Sequence, residues 1–229
     1  MSLTLVIANR NYSSWSMRPW VLLSQLNIPF REVLIKFHSS EWVEQLPRLS
    51  PSRLVPVLWD GTPGAPDALA IWDSLAIAEY LAERHPEAGV WPAQARARAR
   101  ARSISAEMHA GFRALRNAMP MNIRSQHPGK GHTPEALRDV ARIESLWRET
   151  RAEFGATGPF LFGRFSAADA MYAPVVMRFA TYHPPLSDES RAYCAAIQEA
   201  GAVSQWAAAA RLEREFVPED EPYAAAPAA

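Results

Sequence analysis

Every strand-like run in this chain lies within its first 72 residues. LTLVIA (Leu3–Ala8) is short, apolar and rich in β-branched residues, as a buried strand is. WVLLSQL (Trp20–Leu26) has helical spacing and ends at Asn27 and Pro29, and FREVLI (Phe30–Ile35) reads as a second strand. Glu41–Leu49 reads as a short helix. VPVLWD (Val55–Asp60) and ALAIW (Ala68–Trp72), joined by the turn GTPGAP, form a hairpin, and DSLAIAEYLAERHP closes the unit as a helix. The order βαβ, helix, hairpin, helix specifies an α/β unit with a mixed four-stranded sheet.

From Ala93 to Phe216 no convincing strand occurs, and the helical segments are long. One carries Glu107–Leu115; others span Pro134–Phe154, Ala167–Phe179 and Ser190–Ala200. The expected organisation is an α/β domain over 1–84, a linker over 85–92, an all-helical domain over 93–217 and a disordered tail over 218–229. AQARARARAR (Ala93–Arg102) reads as a solvated helix start, because alanine and arginine both favour helix.

Lys and Arg number 24 and so do Asp and Glu, a neutral balance that gives no electrostatic reason for a nucleic-acid or anionic-membrane partner. No apolar run is long enough to span a bilayer. The start MSLTLVIANR lacks the features of a secretory signal, so a cytoplasmic protein is expected. The single cysteine, Cys194, excludes an intrachain disulfide and a CxxC pair. There is no GxSxG motif and no metal-binding histidine pattern.

Three junctions carry candidate chemistry. In NRNYSSWSMRPW (Asn9–Trp20), proline is tolerated only in a helix's first turn, so Pro19 predicts a helix start with Ser16 as N-cap. Ser13 and Ser14 then precede the helix, either as ordinary loop serines or facing an anion at its positive end. Val55-Pro56 is either the start of an edge strand or a cis bond that turns the Val55 backbone toward an extended ligand. Asp73 and Ser74 are either plain caps or a pair that holds an amine and a carboxylate together.

Taken together, these junctions resemble the glutathione transferase superfamily. The thioredoxin-like half of that family is matched by the serine loop, SPSRLVPVL (Ser50–Leu58) and WDSLAIAEYL (Trp72–Leu81). The helical half is matched by FLFGRFSAADAMYAPVVMRF (Phe160–Phe179), in which Ser166 and Asp169 look like the family's capping box and Pro174 implies a kink. YSSWSMRPWVLL is similar to the zeta class, whose loop reads Ser-Ser-Cys-Ser, with Trp15 here in place of the cysteine. The resemblance implies a glutathione S-transferase in which Ser13, with Ser14 in reserve, donates a hydrogen bond to the thiolate. It implies glutathione as co-substrate, held by Ser13, Arg53, Val55, Pro56, Asp73 and Ser74, and an electrophile pocket with Trp15, Met108, Phe112, Arg113 and Arg116. It also implies a homodimer. The alternatives are a zeta-type isomerase and a catalytically silent interaction protein.

Overall fold

The structure, a computed structural model, describes residues 2–224. The first unit contains β1 (Leu3–Ile7), α1 (Ser14–Gln25), β2 (Phe30–Leu34), α2 (Ser40–Glu44), α3 (Leu46–Leu49), β3 (Val57–Asp60), β4 (Leu69–Trp72) and α4 (Ser74–Arg84). Its single sheet has the order β2-β1-β3-β4. β1 pairs parallel with β2 and antiparallel with β3, and β3 pairs antiparallel with β4. A parallel pair needs a long crossover, and α1 supplies it. The two inner strands are buried along their whole length, which is why both read as continuous apolar runs.

The second unit is all helical: α5 (Ala95–Ala110), α6 (Arg113–Ala118), α7 (Pro134–Phe154), α8 (Ala167–Tyr182), α9 (Asp188–Glu199) and α10 (Gly201–Leu212). Every residue of α8 except Ala180 is buried, the pattern of a helix packed on all sides. One hydrophobic cluster runs from Leu5 and Met17 of the first unit to Ala170 and Val175 of the second. The two units therefore share a core along α1 and α8.

The Ser166–Asp169 box is present, with the Asp169 carboxylate accepting from the Ser166 amide at 2.9 Å. The Ala-Arg repeat opens α5, with Ala97 and Ala101 buried and Arg96, Arg98 and Arg102 engaged outside. Arg98 donates to the carbonyls of Pro92 and Ala93, and Arg102 grips Glu79 with two bonds.

Four expectations are corrected. The segment Glu41–Leu49 is two short helices, α2 and α3, rather than one. The helix expected through Glu107–Leu115 breaks at Gly111 and Phe112. A Cβ on Gly111 would lie 2.8 Å from the Glu107 carbonyl oxygen, and Phe112 is left-handed at φ 60°. Residues 218–224, expected to be disordered, are packed. Glu221 is buried and accepts from the Tyr12 hydroxyl at 2.6 Å, while the Tyr223 hydroxyl donates to Ala118 O at 2.8 Å. The rest of the expected tail, 225–229, lies outside the described residues. Finally, α1 begins at Ser14 with Ser13 as its N-cap, and Ser16 is inside the helix.

Candidate functional site

The β1–α1 loop sorts its three serines by their hydrogen bonds. The Ser13 hydroxyl accepts from the Ser16 amide at 3.3 Å and donates to Ser16 Oγ at 2.8 Å, so both its capacities are used locally. Ser16 Oγ in turn accepts from the Ala8 amide at 3.1 Å and ties α1 to the end of β1. Ser14 Oγ accepts from Arg178 Nη2 at 3.2 Å, which leaves its own proton free to be donated. Pro19 is the sixth helical residue. It was expected to force the start later, but the helix carries it as an internal proline.

The loop is held from behind. The Glu213 carboxylate accepts from the amides of Arg10 (2.8 Å) and Asn11 (3.1 Å), and Asn11 Nδ2 donates to Asn122 Oδ1 at 2.9 Å. Arg124 Nη2 reaches Glu221 at 3.3 Å. The segment after α10 thus straps the serine loop in place.

Val55-Pro56 is cis, and the β3 ladder begins only at Val57. Pro56 is buried, Val55 half-buried and Arg53 exposed, with Arg53 at φ 57°. At the third junction Asp73 caps α4, its Oδ1 accepting from the Leu75 amide at 2.8 Å. Its backbone sits at φ 76°, a conformation that costs a side-chain-bearing residue about 1–3 kcal/mol. The other carboxylate oxygen meets His109 Nε2 of α5 at 2.7 Å, across the boundary between the two units. Ser74 is buried and its hydroxyl has no partner.

The structure divides the expected electrophile pocket. Trp15 is exposed, and the Arg116 guanidinium lies 4.8 Å from its ring centre. Met108 and Phe112 are buried in the shared core. Arg113 is exposed and is not brought to Trp15. Two arginines that sequence reasoning missed complete the group. Arg18 lies 4.1 Å from the Trp15 ring centre, and Arg178 holds Ser14. Each was signalled by a cation inside an apolar run, Arg18 between Met17 and Val21 and Arg178 in VVMRF. Burial, with Arg116 beside it, lowers the pKa of Arg178 to about 10, and burial holds Arg18 well below its ordinary value.

A cavity of about 660 Å³ lies elsewhere, between the linker and the α7–α8 connection, lined by Trp91, Phe154 and Phe160 among others. Among the described residues no cluster of His, Cys, Asp or Glu has metal-binding geometry, and no helix is long and apolar enough to cross a membrane.

Residues 12–84 match the family model described as glutathione S-transferase, N-terminal domain, and residues 93–209 match its C-terminal domain counterpart. The chain belongs to the glutathione S-transferase family. Solved structures agree in fold. A glutathione transferase homologue from Burkholderia gl BGR1, with bound glutathione, is 22% identical at a TM-score of 0.68, over 92% of this chain and 99% of that one. Glutathione transferase Omega 2S of Trametes versicolor, in complex with 2,4-dihydroxybenzophenone, is 22% identical at 0.65, over 90% and 93%. Human glutathione-S-transferase T1-1 is 17% identical at 0.66, over 96% and 94%.

Proposed function

We propose that this chain is a glutathione transferase that binds glutathione along the three junctions and activates its thiol with Ser14. The observation that carries the reading is the Ser74 hydroxyl. It is buried without a partner at the N-terminus of α4, beside an Asp73 held at positive φ. An orphaned buried hydroxyl costs about 1–3 kcal/mol, and a carboxylate at a helix N-terminus is the partner its surroundings suit. Asp73 then accepts from an amine, in exchange for or beside His109. Val55, just outside the ladder, offers its backbone to an extended peptide, and Arg53 and Pro56 flank it.

Bound glutathione supplies a sulfur nucleophile once its thiol, with an ordinary pKa of about 8.5, is ionised. Ser14 favours that ionisation by donating a hydrogen bond to the sulfur, while Arg178 holds the serine oxygen and adds positive charge behind it. Ser13 serves the loop as cap. This reverses the order of the two serines that the family resemblance implies. Trp15, in the place of the zeta class's cysteine, favours conjugation over isomerisation. A cytoplasmic homodimer belongs to the same reading; support for the dimer comes from Leu54, Leu69 and Trp72, apolar side chains left exposed on the first unit.

Calorimetric titration with glutathione tests the proposal. Binding in the micromolar to millimolar range, weakened in Ser74→Ala, is expected. No heat and no thermal shift at saturating ligand would overturn it.

A further inference from the structure

Three arginines, Arg18, Arg116 and Arg178, converge beside the serine loop, with acidic side chains near them but none in salt-bridge contact among the described residues. Arg18 is 2% exposed and Arg178 is 6% exposed. Arg18 Nε donates to Met171 O at 3.2 Å, but Nη1 and Nη2 are buried and have no partner. Arg116 spends its bonds on the carbonyls of Gly111 and Met108, and Arg178 on those of Arg116 and Met119 and on Ser14. Among the described residues none of the three forms a salt bridge. The acids nearby are engaged or set apart. Asp73 is bound by Leu75 and His109, Asp139 accepts from the Leu115 amide, and Asp220 stands on the strap toward Arg178.

Buried like charges repel one another and lose hydration, a cost that proteins ordinarily offset with a paired anion. Here Asp73, Asp139 and Asp220 act on the cluster without ion-pair contact, and Nη1 and Nη2 of the Arg18 fork have no partner. A fork of that shape matches a carboxylate through two parallel hydrogen bonds. Trp15 adds a flat apolar face, with the guanidinium carbons of Arg18 and Arg116 4.1 and 4.8 Å from its ring centre. We infer that Arg18 and Arg116, with Trp15, form the subsite that takes the carboxylate of a planar, anionic electrophile. This rests on the proposed transferase function and names its substrate class. The Trp15 ring, 36% exposed but packed against Arg18, Arg116 and His109, must turn aside to admit the carboxylate to Arg18. Ser14, joined to the same cluster through Arg178, puts the sulfur next to the bound electrophile.

With para-chloro-meta-nitrobenzoate as probe, the transfer balances without an oxidant or reductant. The sulfur–carbon bond forms, the carbon–chlorine bond breaks, chloride leaves with its bonding pair, and the thiol proton goes to solvent.

The test is calorimetric titration of that benzoate, and of the uncharged para-chloro-meta-nitrobenzamide, into the protein without glutathione. The carboxylate should bind roughly tenfold or more tightly than the amide, the range of a charged hydrogen-bond pair. Arg18→Gln and Arg116→Gln should each remove most of that preference. Thermal melts verify that the variants fold, and the half-buried Arg116 carries the test if Arg18→Gln does not. Equal affinity for the two probes, no binding of either, or a preference that survives both substitutions overturns the inference. A protein that binds the benzoate with this preference but fails to bind glutathione keeps the anion subsite and overturns the transferase reading instead.

Discussion

Asp169 and Arg18 are both charged residues taken almost wholly out of water, at 0% and 2% exposure. They are treated in opposite ways. The Asp169 carboxylate accepts four hydrogen bonds, from the amides of Leu161 and Ser166 and from the hydroxyls of Ser166 and Tyr193, all within 3.0 Å. Arg18 makes one bond through Nε and leaves two nitrogens unpaired. The first is a closed network, in which every member's capacity is spent on the fold. The second is open, and its guanidinium lies against Trp15 of the serine segment. Saturation of the hydrogen bonds, more than burial or charge, separates the folding residue from the one proposed to face a ligand. The serines repeat the contrast. Ser13 is saturated locally, Ser14 has a proton to give, and Ser74 has no partner at all.

The comparison breaks most visibly at Asp169. Asp169→Ala strands four donors in the core and is expected to cost more than about 3 kcal/mol in denaturant unfolding. A cost near that of a surface substitution would mean the network is not closed. Next in size, Ser13→Ala removes a helix cap and should lower stability by about 1 kcal/mol. Ser74→Ala should cost little or nothing in stability, since no bond is lost, while weakening glutathione roughly threefold to tenfold by calorimetry. A large stability loss there would show that Ser74 belongs with the saturated group.

The smallest effect concerns pH. Burial first, then the neighbouring Glu219 and Glu221, raises the Asp220 pKa from 3.8 to about 6, against the lowering by Arg178. The folded state therefore holds a proton that the unfolded state has released between those values, and ionised Asp220 disfavours the fold. Asp220→Asn should be more stable than wild type above pH ~6. That advantage should shrink as pH falls through the window toward the unfolded pKa of about 3.9. Parallel stability curves across the window would contradict this.

Much of the fold is legible in the sequence because local pattern and global packing agree. The apolar runs become β1 and β3, the hairpin has its turn, and the Ser166–Asp169 box opens α8. What was not legible depends on contacts far apart in the chain. Pro19 pointed to Ser16 as cap, but Ser16 is claimed by the Ala8 amide across the β1–α1 loop, and the helix starts earlier despite its internal proline. The arrest at Gly111 and Phe112 turns on one left-handed residue that no propensity favours at phenylalanine. The 218–224 segment has the composition of a tail, yet Tyr12 and Arg124 fix it. For the proposed site, the three junctions and Arg116 were named from the sequence. The pairing of Ser14 with Arg178, 164 residues away, was not.

The central claim is that Ser14, with its free proton and Arg178 behind it, ionises the glutathione thiol while Ser13 holds the loop. Ultraviolet difference absorbance of the bound thiolate, followed against pH, tests it most directly. Ser14→Ala should raise the midpoint of thiol ionisation by roughly one to two pH units, while Ser13→Ala leaves that midpoint in place and lowers the melting temperature. A midpoint that moves in Ser13→Ala and stays fixed in Ser14→Ala would contradict the assignment.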